Sequence, residues 1–400
     1  MANHLPRHYD IPALNGLRAI CASLVIFSHV ITPSTKIHVI STHCSVGVDV
    51  FFVLSGFLIT WILLDEMAAT TTINIPRFYT RRALRLQPAY FSAVGLNLLA
   101  YYFFERTAFV GLRKALPYYL TYSMNEAVAL SLFTLPIFAV AWSLCIEEQF
   151  YFTWSFVMRG LGDNCRRLLN ICFCAIVLVL LHRCSIYLRM NWAHPLIAGR
   201  PSILRIYYAT DTRVDTIIVG CALALSMRDP RFAGFWRRFA RWGPTPVAVP
   251  VAAVAVSAWA LHSDCVTYTI GFTVIAICSA LLIATVFSCP RSLLTKSLAS
   301  PSMVFIGSIS YGMYLFHPLT WSVIAGLSHG RTRQLGGGPQ LGLLVVTWIC
   351  VVAVSWLHFE LIERRFLALR PRIERRIAGS ASRRTLQTPA EVAVSAVLQK

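Results

Sequence analysis

The chain reads as an all-α integral membrane protein, a polytopic bundle of about ten transmembrane helices with both termini on the cytoplasmic side. Three observations predict this. Of its 400 residues 56% are hydrophobic and 13% charged, with a mean hydropathy of +0.62, outside the range of a soluble domain. Ten apolar runs, allowing for polar interruptions, are read as helices that cross about 30 Å of hydrocarbon. Of the 36 Lys and Arg residues, 24 fall in segments that share a side with the N-terminus, the asymmetry that orients membrane helices.

The first run, 14–31, carries Arg18 and His29 and lacks a small-residue cleavage pattern behind it, so it is retained as a helix rather than removed as a signal. The second covers 47–64. Runs at 89–104 and 142–158 bracket the stretch 115–140, which is amphipathic, contains Pro117 and Pro136, and predicts an interfacial or re-entrant piece rather than a span. The remaining spans fall at 168–184, 211–227, 246–261, 269–287, 303–325 and 341–362. The organisation is a cytoplasmic segment 1–13, a membrane domain 14–366 and a basic tail 367–400. With Arg383 and Arg384 adjacent and little apolar periodicity, that tail is expected to be mobile and to lie near anionic lipid.

The net charge of +19 does not point to nucleic acid, because the basic residues are scattered between apolar spans and no nucleic-acid-binding module is present. The twelve cysteines include no Cys-x-x-Cys and mostly sit inside apolar runs, so they read as small core residues and no metal is expected.

Arg18 and His29 are eleven residues apart, three helical turns plus about 20°, and so point the same way about 16 Å apart. That is room for the two ends of a long ligand. Near the depth of Arg18 falls the run RFYTRRALRLQP with Arg77, Arg81, Arg82 and Arg85, and near the end of the last span Glu360, Glu363 and Arg364. Arginines three or four apart share a helix face, and a guanidinium fork suits phosphate. In the opposite half fall His29, Asp49, Glu147, Glu148, Arg213, Asp215 and His317. A carboxylate at such depth faces the bundle interior and finds a partner. Arg213 and Asp215 are candidates to pin helices together, and Asp49 and Asp215 to line the substrate cavity. One of the adjacent Glu147 and Glu148 is expected to reach His29. A histidine can take a proton from a hydroxyl, and a carboxylate on its other nitrogen would orient it. His317, with Tyr311 and Tyr314 on the same segment, reads as a packing or substrate-orienting residue.

Seven stretches in order make the chain resemble the membrane acyltransferase-3 family of integral O-acyltransferases: LNGLRAICASLVIFSHV, GVDVFFVLSGFLIT, FYTRRALRLQPAY, WSLCIEEQFYFTW, TRVDTIIVGCALA, IGSISYGMYLFHP and FELIERRF. The resemblance implies ten core helices, acetyl-CoA or another acyl-CoA as donor, a carbohydrate hydroxyl on a surface or exported polysaccharide as acceptor, and a bacterial inner membrane. It places the family's Arg and His at Arg18 and His29, its Arg-x-x-Arg at Arg82 and Arg85, and its carboxylate at Glu147 in preference to Glu148. Many relatives carry a fused periplasmic domain after the helices, so the chain is expected to act alone or to hand its acyl group to a separate partner. IERRF stands where many relatives have Glu followed by Pro.

Together these readings give a reaction scheme. Donor phosphates rest on Arg82, Arg85 and Arg18, the pantetheine arm follows the Arg18–His29 stripe, and His29 deprotonates the sugar hydroxyl. Acyl-histidine formation is the competing chemistry. The alternative function is a transporter or flippase with a charged ion path, which would carry internal repeats and broken helices in corresponding halves; the sequence has neither.

Overall fold

In the computed structural model, residues 11–31, 41, 44–133, 138, 140–193, 200–241, 264–327 and 337–386 are described. Among them helix is the regular structure and no strand occurs. The helices are α1 (Pro12–Val30), α2 (Val46–Thr70), α3 (Ile75–Phe104), α4 (Arg106–Leu120), α5 (Met124–Ala129), α6 (Ala141–Leu161), α7 (Cys165–Ala193), α8 (Arg200–Tyr208), α9 (Thr210–Arg228) and α10 (Ala233–Arg241). After them come α11 (Asp264–Ser288), α12 (Leu293–Leu298), α13 (Pro301–Ser308), α14 (Ser310–Leu327), α15 (Gly337–His358) and, beyond a π-helical turn over Phe359–Glu363, α16 (Arg364–Leu386).

Local chemistry sets several of these boundaries. Pro12 starts α1 at a position where no backbone N–H is needed. The Asn74 side chain caps α3 by accepting from the Arg77 N–H at 3.0 Å, with Pro76 in the first turn. α2 stops at Thr71, whose left-handed backbone (φ 60°) turns the chain.

Among the described residues five helices are long and apolar enough to cross a membrane: Pro12–Val30, Val46–Thr70, Cys165–Arg189, Asp264–Ser288 and Gly338–Arg375. The sequence reading of a further span at 246–261 lies outside the described residues. The other expected spans coincide with α3, α6, α9 and the pair α13–α14, and each of these carries polar groups of the interior. The stretch read as interfacial or re-entrant is α4 and α5 joined by a turn at Tyr122 (φ 51°). Pro117 does not break it; that residue lies inside α4. Met124, Asn125, Ala127 and Val128 of α5 are buried, and the Gln149 side chain of α6 donates to the Tyr122 carbonyl at 2.7 Å, so α5 is packed into the bundle; Pro136 lies outside the described residues.

Small residues bring helices into contact, as is usual where lipid supplies no hydrophobic drive. A Cβ at Gly56 of α2 would overlap the Ile217 carbonyl of α9, and one at Gly220 of α9 would overlap the Val53 carbonyl of α2. From Asp49–Arg213 at one end, through these glycines, to Asp65–Arg228 at the other, α2 and α9 run side by side in the same direction. Gly16 and Gly307 lock α1 against α12 and α13 in the same way.

Of the basic tail, the part to Leu386 is helical, and 387–400 lie outside the described residues. Glu374 of α16 accepts from Arg77 (3.2 Å) and Arg81 (2.7 Å) of α3 and from Arg370 (2.7 Å). α16 is therefore fastened across the first turns of α3.

Candidate active site

That clamp divides the four arginines of α3. Arg77 and Arg81, four apart, face Glu374, whereas Arg82 and Arg85, three apart, occupy a different face. The Arg82 guanidinium lies 3.3 Å over the Tyr151 ring and its Nε is 4.0 Å from Glu148. Arg18 donates to Asn15 at 3.3 Å, and Arg85, Tyr151, Glu147 and Arg82 all act on its charge. The two segments that the sequence assigned to a phosphate grip thus meet as Arg18, Arg82 and Arg85. Glu147 and Glu148 lie on the same side of this cluster, Glu148 against Arg82 and Glu147 within the field of Arg18.

A polar stripe leads away from this cluster. Ser143, Glu147 and Tyr151 are four apart on α6 and share one face. Glu147 accepts from the Ser55 hydroxyl at 2.9 Å and from the Tyr151 hydroxyl at 3.0 Å, so both carboxylate oxygens are engaged. Ser143 and Tyr314 share a hydrogen bond of 2.7 Å, and the Tyr314 hydroxyl also lies 2.9 Å from the Val140 carbonyl. Tyr311, one turn before Tyr314, lies within the fields of Glu147, Glu148 and Glu363. Glu363, in the π-helical turn, is buried with its carboxylate 3.0 Å from His358 Nδ1.

At the other end of the stripe stand two histidines. The His29 and His317 rings pack edge to face with centroids 4.9 Å apart, and Tyr314 is 5.9 Å from His317. His29 Nδ1 is 2.8 Å from the Val25 carbonyl and 3.1 Å from the Ser28 hydroxyl. Its side chain is exposed even though protein atoms crowd it, as for a group on the wall of a cleft.

The geometry corrects the expected carboxylate–histidine pair. Glu147 makes its hydrogen bonds to Ser55 and Tyr151 rather than to His29, and the orienting acceptor on His29 Nδ1 is a backbone carbonyl. Asp215 also has a different occupation from substrate contact. It is fully buried and takes both terminal nitrogens of Arg183, at 3.0 and 3.1 Å, plus the Thr273 hydroxyl at 2.6 Å. Asp49 accepts from Arg213 at 2.8 Å, and that guanidinium lies 3.6 Å over the Phe272 ring. Asp49 and His317 are both buried, so neither presents an open surface to a substrate in this state.

Arg183, Ser55 and Tyr151 carry parts of this interior that the sequence reading passed over. Tyr151 was reachable in principle, because it lies four residues after Glu147 on a helix. Ser55 and Arg183, single polar residues in apolar runs, gave only the general signal that such residues face the interior. No group of three or more His, Cys, Asp or Glu able to hold a metal occurs among the described residues.

Long apolar helices wrapped around buried charge, hydroxyls and histidines define a multi-pass membrane protein with an internal polar site. The family is more specific: the chain belongs to the acyltransferase-3 family, whose model, described as an acyltransferase domain, matches residues 11–359. It is 31% identical over 323 residues to the peptidoglycan O-acetyltransferase OatA of Listeria monocytogenes, covering 77% of this chain and 49% of that protein. It is 28% identical over 331 residues to the O-acetyltransferase OatA of Staphylococcus aureus, covering 78% and 50%. With the YrhL protein of Bacillus subtilis the identity is 31% over 381 residues, covering 91% and 56%. The chain thus spans about half the length of the curated relatives it matches. No solved structure matches it.

Proposed function

We propose that the chain is a bacterial inner-membrane O-acyltransferase that moves an acetyl group from cytoplasmic acetyl-CoA, or another acyl-CoA, to a hydroxyl of an exported polysaccharide. Ten spans with both termini cytoplasmic complete this reading. The observation that carries it is the separation, within one interior, of an arginine cluster from a histidine lying about 16 Å along the same helix stripe. Arg18, Arg82 and Arg85 bind the donor's phosphates. The neutral pantetheine arm runs past the hydroxyls of Tyr151, Ser55, Tyr311 and Tyr314, and the thioester arrives at His29.

His29 is suited to act as the base. Its Nδ1 faces a carbonyl and must carry hydrogen to bond there, which leaves the lone pair on Nε2. That nitrogen removes the proton as the sugar oxygen attacks the thioester carbonyl, then returns it to the departing sulfur. Such a base contributes about 10²–10⁴ in rate. Glu147 belongs to the donor end in this scheme, holding Tyr151 beneath Arg82, and Asp49 with Arg213 borders the acceptor side. Peptidoglycan, the polymer named for the Listeria relative, is the first acceptor to try. The acyl group passes to it directly or through a separate extracytoplasmic transferase.

The test is acyl transfer in vesicles given isotopically labelled acetyl-CoA on the cytoplasmic side and a mixed glycan pool. Label entering glycan with wild type, and absent with well-folded His29→Ala, is the expected result. Normal transfer by His29→Ala would overturn the scheme.

A further inference from the structure

The second histidine has no task in that scheme, and its surroundings give it one. His317 Nδ1 lies 2.8 Å from the Tyr314 carbonyl, so this nitrogen carries the hydrogen and the lone pair is on Nε2, the same tautomer as His29. His317 is fully buried, and its Nε2 has no hydrogen-bond partner among the described residues. A buried acceptor left unmade is costly, so a neighbour that gains a proton during the reaction relieves it. The neighbour is His29, whose ring centroid lies 4.9 Å from that of His317, within reach of an N–H···N contact of about 2.7–3.2 Å when the two rings turn their Nε2 edges toward each other. Among the described residues no carboxylate is hydrogen-bonded to either ring: the contacts of His29 Nδ1 are the Val25 carbonyl and the Ser28 hydroxyl, and that of His317 Nδ1 is the Tyr314 carbonyl.

The geometry points to His317 as a positioning residue: once His29 has taken the proton of the acceptor hydroxyl, the His29 Nε2–H forms a shared, three-centre hydrogen bond, with one branch accepted by His317 Nε2 and the other directed at the departing sulfur. It thereby does the work that a carboxylate does elsewhere, on the nitrogen that changes protonation. This inference rests on the acyltransferase reading. In the step, the sugar O–H bond breaks and the proton goes to His29 Nε2 while the oxygen bonds to the thioester carbon. The carbon–sulfur bond then breaks, and the thiolate recovers that proton from His29 as free thiol. His317 is not protonated and not consumed. Because its bond exists only while His29 is charged, it favours the transition state over the resting enzyme.

The experiment compares His317→Phe, which keeps a ring but removes the acceptor, with His317→Gln, which restores an acceptor oxygen. The expected result for His317→Phe is kcat lower by about 10- to 100-fold, the worth of one charge-assisted hydrogen bond, with the KM for acetyl-CoA unchanged. His317→Gln should recover part of the loss. A His317→Phe enzyme with wild-type kcat overturns the inference and leaves the acyltransferase reading standing. A second arm needs no turnover: in full-length protein with 15N-labelled histidine in lipid nanodiscs, lowering the pH until His29 protonates should move the Nε2 resonances of both rings together, and His29→Ala should abolish the response of His317. A His317 resonance that stays fixed while His29 protonates overturns the pairing. Absence of transfer by wild type from any acyl-CoA would fail the acyltransferase reading instead, and the resonance arm would still decide the pair.

Discussion

Replacing Asp215 by alanine removes the carboxylate from a fully buried ion pair and strands the guanidinium of Arg183, which is itself 0% exposed. Arg183 would keep its bonds to the Thr269 and Thr212 carbonyls, at 2.6 and 2.7 Å, but lose both bonds to Asp215. Breaking a buried pair from one side costs about 3–5 kcal/mol, or roughly 10²–10⁴ in the folding equilibrium. Replacing both members, Arg183→Met with Asp215→Ala, leaves no stranded charge and should recover most of that loss. The assay is unfolding of the four proteins of the double-mutant cycle in detergent micelles, followed by tryptophan fluorescence and scored as the coupling energy. An Asp215→Ala protein as stable as wild type but with a raised KM for the glycan would refute the structural role and return Asp215 to the substrate cavity.

Replacing both Arg82 and Arg85 by glutamine should raise the KM for acetyl-CoA by at least tenfold, since each charge-assisted bond is worth about 1.5–3 kcal/mol, while label transfer at saturating donor falls much less. Glu147→Gln should act on the donor KM in the same direction and preserve transfer at saturation, whereas a Glu147 that oriented His29 would show its loss in kcat. Gly220→Leu, whose side chain would enter the backbone of α2, should prevent accumulation of folded protein; Gly95→Ala, where a Cβ meets nothing within 4 Å, should leave expression and melting unchanged. Glu374→Gln should loosen α16 from α3, seen as faster hydrogen exchange over 364–386. The effect on global stability should be small, because such partly exposed pairs contribute about 0.2–1 kcal/mol each.

The sequence exposes the apolar spans and the ends of the polar interior more readily than the contacts between them. Spacing along one helix is fixed by its pitch, which is why Arg18 and His29 could be placed on a stripe and why Arg82 and Arg85 could be paired. Partners on other helices depend on how far each helix slides along its neighbour, and no local rule fixes that. Arg213 and Asp215 show the consequence: two residues apart on α9, they point about 200° apart, one to Asp49 of α2 and the other to Arg183 of α7. Glu147 shows it again. Its position six residues into the apolar run 142–158 was legible, but the shift of α6 that sets it beside Ser55 and Tyr151 instead of His29 was not.

That shift changes what the interior can hold. Ser143 and Tyr151 are about 12 Å apart along α6, close to the roughly 16 Å between Arg18 and His29 on α1, so the two helices carry matched ladders. On α1 the ladder has charge or potential charge only at its ends. On α6 the middle position, Glu147, has each oxygen already taken by a hydroxyl, so it offers a passing ligand little free negative charge. A ligand with phosphates at one end, a neutral amide-bearing arm and a reactive thioester at the other meets, in order, guanidiniums, hydroxyls and imidazoles. Had Glu147 stood against His29, an unscreened carboxylate would have faced the thiolate as it departed, and like charges at that separation oppose the bond cleavage the site is proposed to promote. The neutral His317 in its place accepts a proton's hydrogen bond without adding that repulsion. The displacement of Glu147 toward Arg82 and the pairing of His29 with His317 are therefore two parts of one electrostatic arrangement.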